Sequence, residues 1–255
     1  MVDEWHLAAL SDAATALAER AAVAGFTARV PTCPRWTVAD LVAHQGMVHR
    51  WAASNLRLDD ARIPSKSEIL RTVPRDELLA WYADGVAALL ETFATTRYDV
   101  AAMVFLNNAP APRTFWARRQ AHETTIHAAD ALAAALGRIP TEHDAGLDPD
   151  LAVDGIDELL RGFFTRGRTR LFDGAEFTVA VRPSDAGSGW LLRVRPTGLA
   201  AERVPVDDLP DADALFTGTA VQLYLGLWNR GTEIRVAGRE SVLERWREVQ
   251  RVQWS

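Results

Sequence analysis

Apolar side chains recur at helical spacing through the first half of the chain. Over residues 3–24, Trp5, Leu10, Leu17 and Ala21 share one face, and Gly25 is placed to stop the helix. After the loop TARVPTCPRW comes TVAD, a capping box at Thr37 and Asp40, with Trp36 and Leu41 positioned as a hydrophobic staple. The helix it opens is expected to reach about Leu56. A third helix begins near Pro74, a residue suited to a first turn, and carries Leu78, Tyr82, Val86, Leu89 and Phe93. A fourth runs from about Thr114 to Leu136 and stops at Gly137. Four long amphipathic helices joined by loops predict an all-α four-helix bundle.

The texture changes after GRIPTEHDAGLDPD. One more helix, about residues 149–171, leads into FTVAVRPSDAGSGWLLRVRP. There, alternating apolar positions flank a Pro/Ser/Asp/Gly turn, the pattern of a β-hairpin. ADALFTGT reads as a strand, AVQLYLGLWNRG as a helix ending at Gly231, IRVAG as a strand and ESVLERWREVQRV as a last amphipathic helix. The prediction is therefore a helical bundle over residues 1–145 followed by an α+β domain over residues 146–255.

Composition narrows the function. The chain has 255 residues, 48% of them hydrophobic and 24% charged, as in an ordinary globular protein. A formal net charge of −6 argues against nucleic acid or an anionic membrane as the main partner. No apolar run has the length of a membrane span. MVDEWHLAAL carries acids where a signal peptide carries basic residues, and Cys33 stands alone, so no internal disulfide can form. These features predict a cytoplasmic protein; its organisation as two domains in one chain leads to the expectation of a monomer. Lys66 is the only lysine among 28 basic residues, a bias that leaves arginine to do ordinary surface work.

AHETTIHAAD, residues 121–130, resembles a zinc-protease signature displaced by one residue. His122 and His127 are five apart, which places them about 140° from each other around a helix, too far to share an ion. Glu123 and His127 are four apart and lie about 40° from each other. Gln120, Glu123, His127 and Asp130 form one stripe, as do Leu41, His44, Val48 and Trp51 on the second helix. A polar stripe on an alanine-rich helix is most often its solvated face, whereas His44 sits on a stripe expected to face the core. A core histidine needs a partner for its ring nitrogens, either a buried carboxylate or carbonyl, or a metal ion. His44, Glu123 and His127 together would bind a metal from two helices and leave a position open, as in catalytic zinc sites. Asp130, one turn on, would orient a ligand or handle a proton.

VPTCPRWTVADLVAHQGMVHRWA followed by TFWARRQAHETTIHAADA resembles the N-terminal domain of the mycothiol-dependent maleylpyruvate isomerases, one of the DinB-like metal-binding four-helix bundles. FTGTAVQLYLGLWNR is similar to the C-terminal domain of that family, which has a sterol-carrier-like α+β fold. The resemblance implies a divalent metal, zinc being the usual ion, held by His44, Glu123 and His127, with Asp130 beside them. It also implies a role for Arg230, which otherwise reads as a helix-end cation facing the dipole. The cosubstrate implied is mycothiol, bound as its thiolate.

Thiolate addition to the double bond of an unsaturated diacid, rotation and elimination would give an isomerase. Addition without elimination would give a thiol S-transferase. Arg118 and Arg119 are candidate cations for substrate carboxylates, and Arg119, four residues before Glu123, equally suits a salt bridge to it. Cys33 has no helix N-terminus beneath it and no basic neighbour but Arg35, and reads as a packed side chain rather than a nucleophile. Two other classes stay open. One is a zinc hydrolase, and the other a non-catalytic module with an apolar pocket in the C-terminal domain.

Overall fold

The computed structural model describes residues 2–250. Its helical part comprises α1 (Val2–Ala24), α2 (Val38–Arg57), α3 (Lys66–Thr72), α4 (Leu78–Thr95) and α5 (Pro112–Leu136). Then come α6 (Glu142–Ala145) and α7 (Pro149–Asp157), which continues as a wider π-type turn over Glu158–Phe163. The remaining elements are β1 (Phe177–Pro183), β2 (Ser188–Arg195), β3 (Gly198–Pro205), β4 (Ala214–Gly218), α8 (Ala220–Leu227), β5 (Arg235–Gly238) and α9 (Ser241–Val249). No described helix is long and apolar enough to cross a membrane.

The chain forms two compact units. One runs through Phe105 and resumes over Ala109–Pro140, and the other takes Leu106–Asn108 and everything from Thr141. The division thus falls at Pro140/Thr141, ahead of the 145/146 boundary drawn from sequence. Short α6 sides with the second unit because Thr219 Oγ1 donates to Glu142 Oε1 (2.7 Å) and Glu142 N to Glu233 Oε2 (2.7 Å).

In the first unit α1, α2, α4 and α5 make the four-helix bundle. Its core gathers Leu17, Ala21, Val38, Leu41, Val42, Tyr82, Ala128 and Ala131. Thr37 and Asp40 form the expected capping box on α2, and Trp36 and Leu41 join the same core as its staple. Two glycines let α2 and α4 approach closely. A Cβ on Gly46 would lie 2.3 Å from the Trp81 ring, and one on Gly85 2.2 Å from Arg50. Arg50 in turn lies over the Trp81 ring and donates to Gly46 O (3.0 Å) and Trp81 O (2.7 Å), so one side chain stitches both helices.

Alanine-rich α5 starts with Pro112 in its first turn and ends at Gly137 in the left-handed region (φ 67°). It is buried on nearly every side, including the polar stripe Gln120, Glu123, His127 and Asp130. That stripe is therefore not a solvated face.

The second unit holds a five-stranded sheet of order β3-β2-β1-β4-β5. The β1–β2 hairpin pairs antiparallel with Val181 opposite Trp190, while β1 and β4 run parallel with Val179 opposite Ala214. Val179, Val181, Trp190, Leu192 and Phe216 are buried. Trp190 Nε1 donates to Asp157 Oδ1 (3.1 Å), tying the sheet to the end of α7, and Trp246 Nε1 of α9 donates to Leu227 O (3.0 Å).

Three expected helix ends need correction. The helix read over 149–171 ends at Phe163, where the π-type turn has already loosened the ladder. Helix α8 stops at Leu227 instead of Gly231, because Asn229 turns left-handed (φ 60°). The strand β3 and the short helix α3 were not anticipated. The last helix ends at Val249, and residues 251 and 252 of its expected span lie outside the described residues.

Candidate metal centre

Helix α2 carries His44 and α5 carries Glu123, His127 and Asp130, all buried. Three atoms converge: Glu123 Oε1 lies 3.9 Å from His44 Nε2 and 3.3 Å from His127 Nε2. Every pair of ligand atoms among the three residues is within 4.8 Å. Donors about 2.1 Å from a tetrahedral ion stand about 3.4 Å from one another, so the spacing fits a zinc-sized ion. His44 Nε2 is buried and has no hydrogen-bond partner, a costly arrangement for a ring nitrogen unless something else fills the position.

The surroundings fix each donor. His127 Nδ1 is 2.9 Å from Asp130 Oδ2, so it carries the proton there and turns Nε2 toward Glu123 and His44. Asp130 is held in turn by Thr32 Oγ1, which donates to Oδ1 at 2.5 Å, and by the Cys33 thiol 3.6 Å from Oδ2. Arg119, one turn before Glu123 on α5, donates from Nη2 to Glu123 Oε2 at 2.6 Å. The Trp36 ring stacks on His127 (centroids 5.9 Å apart, 25° between planes) and lies 4.8 Å from the His44 ring. Lys66 Nζ sits 4.5 Å from the centre of the Trp36 ring and pairs with Asp40 Oδ1 at 3.1 Å.

Charge follows from these contacts. Burial works against the Glu123 carboxylate, yet the Arg119 charge and the neighbouring His127 and His44 imidazoles hold its pKa well below the usual range. Burial would lower His127, but Asp130 and Glu123 overcome it and push its pKa up to about 9. His44 is lowered, first by burial, with Glu123 pulling the other way. The centre thus offers one anionic and one neutral donor, plus a histidine whose proton an ion must displace.

Behind the site, Gln45 and Thr124 each follow a candidate ligand in sequence. Gln45 Nε2 donates to Thr124 Oγ1 (2.9 Å), and His49 Nε2 lies 2.9 Å from Gln45 Nε2 and 3.0 Å from Thr124 Oγ1. This buried network couples α2 to α5. The burial of His49 is not visible in the sequence. Nor is the reach of Thr32, Cys33 and Trp36 from the loop before α2.

Sequence comparison places residues 7–132 in the family described as the mycothiol maleylpyruvate isomerase N-terminal domain, and residues 150–245 in its C-terminal domain. The chain belongs to the mycothiol-dependent maleylpyruvate isomerase family. Two crystal structures share the fold of this maleylpyruvate isomerase family member. One, of the mycothiol-dependent maleylpyruvate isomerase, is 13% identical with a TM-score of 0.61, and the other, a histidine-to-alanine mutant, is 14% identical with a TM-score of 0.63. Each match covers 92% of both chains. No curated protein sequence matches significantly.

Of the remaining residues singled out from sequence, Arg118 is half-buried on α5. Arg230 is half-buried in the second unit just past α8, with Nη1 donating to Trp228 O at 2.8 Å. That contact is the helix-end arrangement weighed for it from sequence. A cavity of about 520 Å³ in the second unit is lined by Arg161, Ser188, Glu202, Arg203 and neighbours, polar walls that suit a lipophilic ligand poorly.

Proposed function

We propose that His44, Glu123 and His127 bind a divalent ion, zinc on the chemistry of two imidazoles and a carboxylate, and that the protein is a mycothiol-dependent enzyme acting on an unsaturated carboxylic acid. The observation that carries the metal reading is the orphaned His44 Nε2, buried and facing Glu123 Oε1 and His127 Nε2. Family membership, and the mycothiol-dependent maleylpyruvate isomerase whose crystal structure shares this fold, support the choice of thiol and reaction.

When bound, the ion would hold a thiol as its thiolate, the nucleophilic form. The chain's own residues prepare this. Asp130 holds the His127 proton on Nδ1, so that the proton an ion displaces is the one on Nε2. Thr32 and Cys33 hold Asp130 in place, and the Trp36 ring lies against both histidines. In the proposed reaction an S–C bond forms at an activated cis double bond, the resulting C–C single bond rotates, and S–C cleavage returns the thiolate with the trans acid. Atoms and electrons balance without an oxidant or reductant. An S-transferase would stop after addition and protonation of the adduct carbon, for which Asp130 is the proposed proton carrier, with Arg230 a further proposed catalytic cation.

Elemental analysis tests the metal and thiol-dependent turnover tests the reaction. About one equivalent of metal in the wild type, lost in His44→Ala/His127→Ala, is expected. So is isomerisation of a cis-unsaturated diacid only with mycothiol present. A wild type that stays metal-free after reconstitution, or turnover indifferent to thiol, would overturn the corresponding half.

A further inference from the structure

The two oxygens of Glu123 have different jobs. Oε1 faces the two histidine nitrogens, whereas Oε2 receives the Arg119 Nη2 hydrogen bond at 2.6 Å. Arg119 is fully buried, as is nearly all of Glu123, so the pair is screened little by solvent. A guanidinium in a protein stays charged, and its planar fork suits the plane of a carboxylate better than an ammonium does. A glutamate free at both oxygens can close onto an ion with both and fill the position a catalytic centre leaves open. With Oε2 committed to Arg119, that closure would break a buried charged hydrogen bond.

We infer that Arg119 is a positioning residue of the metal centre. By holding Oε2 it confines Glu123 to one-oxygen ligation through Oε1 and weakens that oxygen as a donor, which keeps a coordination position open and electrophilic for an exogenous thiolate. The inference rests on the metal reading above and deepens it. Of the two roles the sequence leaves open for Arg119, a substrate carboxylate or a salt bridge to Glu123, it takes the second and gives it a function at the metal's own ligand.

Cobalt(II) in place of the native ion, with 2-mercaptoethanol as probe thiol, tests this without turnover. Metal-stripped wild type, Arg119→Gln and Arg119→Lys would each receive one equivalent at fixed pH and be read by visible absorption. Wild type is expected to show strong visible bands and a thiolate-to-cobalt charge-transfer band as thiol is added. Arg119→Gln is expected to retain the cobalt, with weaker bands of higher coordination number and thiol affinity reduced about tenfold or more, the scale typical of residues that orient metal ligands. Arg119→Lys, which restores the charge, should recover most of the thiol affinity. Identical spectra and thiol affinities in wild type and Arg119→Gln overturn the inference while leaving the metal reading intact. A wild type that binds no cobalt overturns both. Should Arg119→Gln fail to fold, a crystal structure of cobalt-loaded wild type decides. Oε1 alone on the ion supports the assignment, and both Glu123 oxygens on it, with Arg119 displaced, refute it.

Discussion

His127 Nδ1 and Asp130 Oδ2 stand 2.9 Å apart on adjacent turns of α5, and Asp130 is pinned from the far side by Thr32. The carboxylate therefore sets both the tautomer and the basicity of a proposed metal ligand. Asp130→Asn keeps a hydrogen-bond acceptor but loses the charge. Metal affinity should fall about 10- to 100-fold, the range found for such partners, as measured by competition with a chromogenic chelator. Wild-type affinity in this variant would show that the contact does not tune the ligand.

If His127 binds the proposed ion, its raised pKa, about 9, would make metal uptake depend on pH. An ion must displace that proton, so apparent affinity should fall about tenfold per unit as pH drops below 9. Calorimetry near pH 7.5, in buffers of different ionisation enthalpy, should report close to one proton released per ion. Stability of the metal-free protein runs the other way. The folded pKa lies above the unfolded value near 6.5, so the contribution is complete below about 6.5 and lost as pH rises through 9.

His49 has the opposite sign. Burial first, then the Arg50 charge, lowers its pKa to about 3. The unfolded chain takes up a proton below about 6.5 that the folded protein refuses until about 3. Stability should therefore decline across that window by roughly 1.4 kcal/mol per pH unit. Denaturant titrations from pH 7 to 4 should show this slope in wild type and lose one proton's worth of it in His49→Gln. An unchanged slope would mean that His49 is not the group responsible.

Gly46→Ala would push a Cβ to 2.3 Å from the Trp81 ring, and Arg50 stacked on that ring's surface leaves it little room to shift. Overpacking of this kind costs about 1–3 kcal/mol. Thermal unfolding should show the loss, and Trp81→Leu in the same chain should recover part of it. Additive losses in the double variant would refute a clash between these two groups.

Much of the fold was legible because its signals are local. The Thr37/Asp40 box, Gly137 and the β1–β2 turn each announce an element within a few residues. The face of α5 was not, because alanine fits core and surface alike and leaves no contrast against which to place Glu123 and His127. Strand β3 lacks a continuous apolar face, with most of its positions at least partly exposed, so alternation does not mark it. Within the centre, spacing brought Glu123 and His127 together, and a core stripe brought in His44. Thr32 reaches Asp130 only through the fold, across 98 positions of chain, and Trp36 was spent in the reading as a staple when it also covers two histidines.

Glu123 and His127 are neighbours on one helix, whereas His44 arrives on another, with α3 and α4 between them in the chain. An unfolded polypeptide thus offers an ion two donors one turn apart, and only the closed bundle offers three. On the proposed metal reading, occupancy would therefore be a term in the folding equilibrium. At a thousandfold excess of free ion over its dissociation constant the native state gains about 4 kcal/mol. A chelator would then lower the melting temperature of a bundle whose hydrophobic core it never touches.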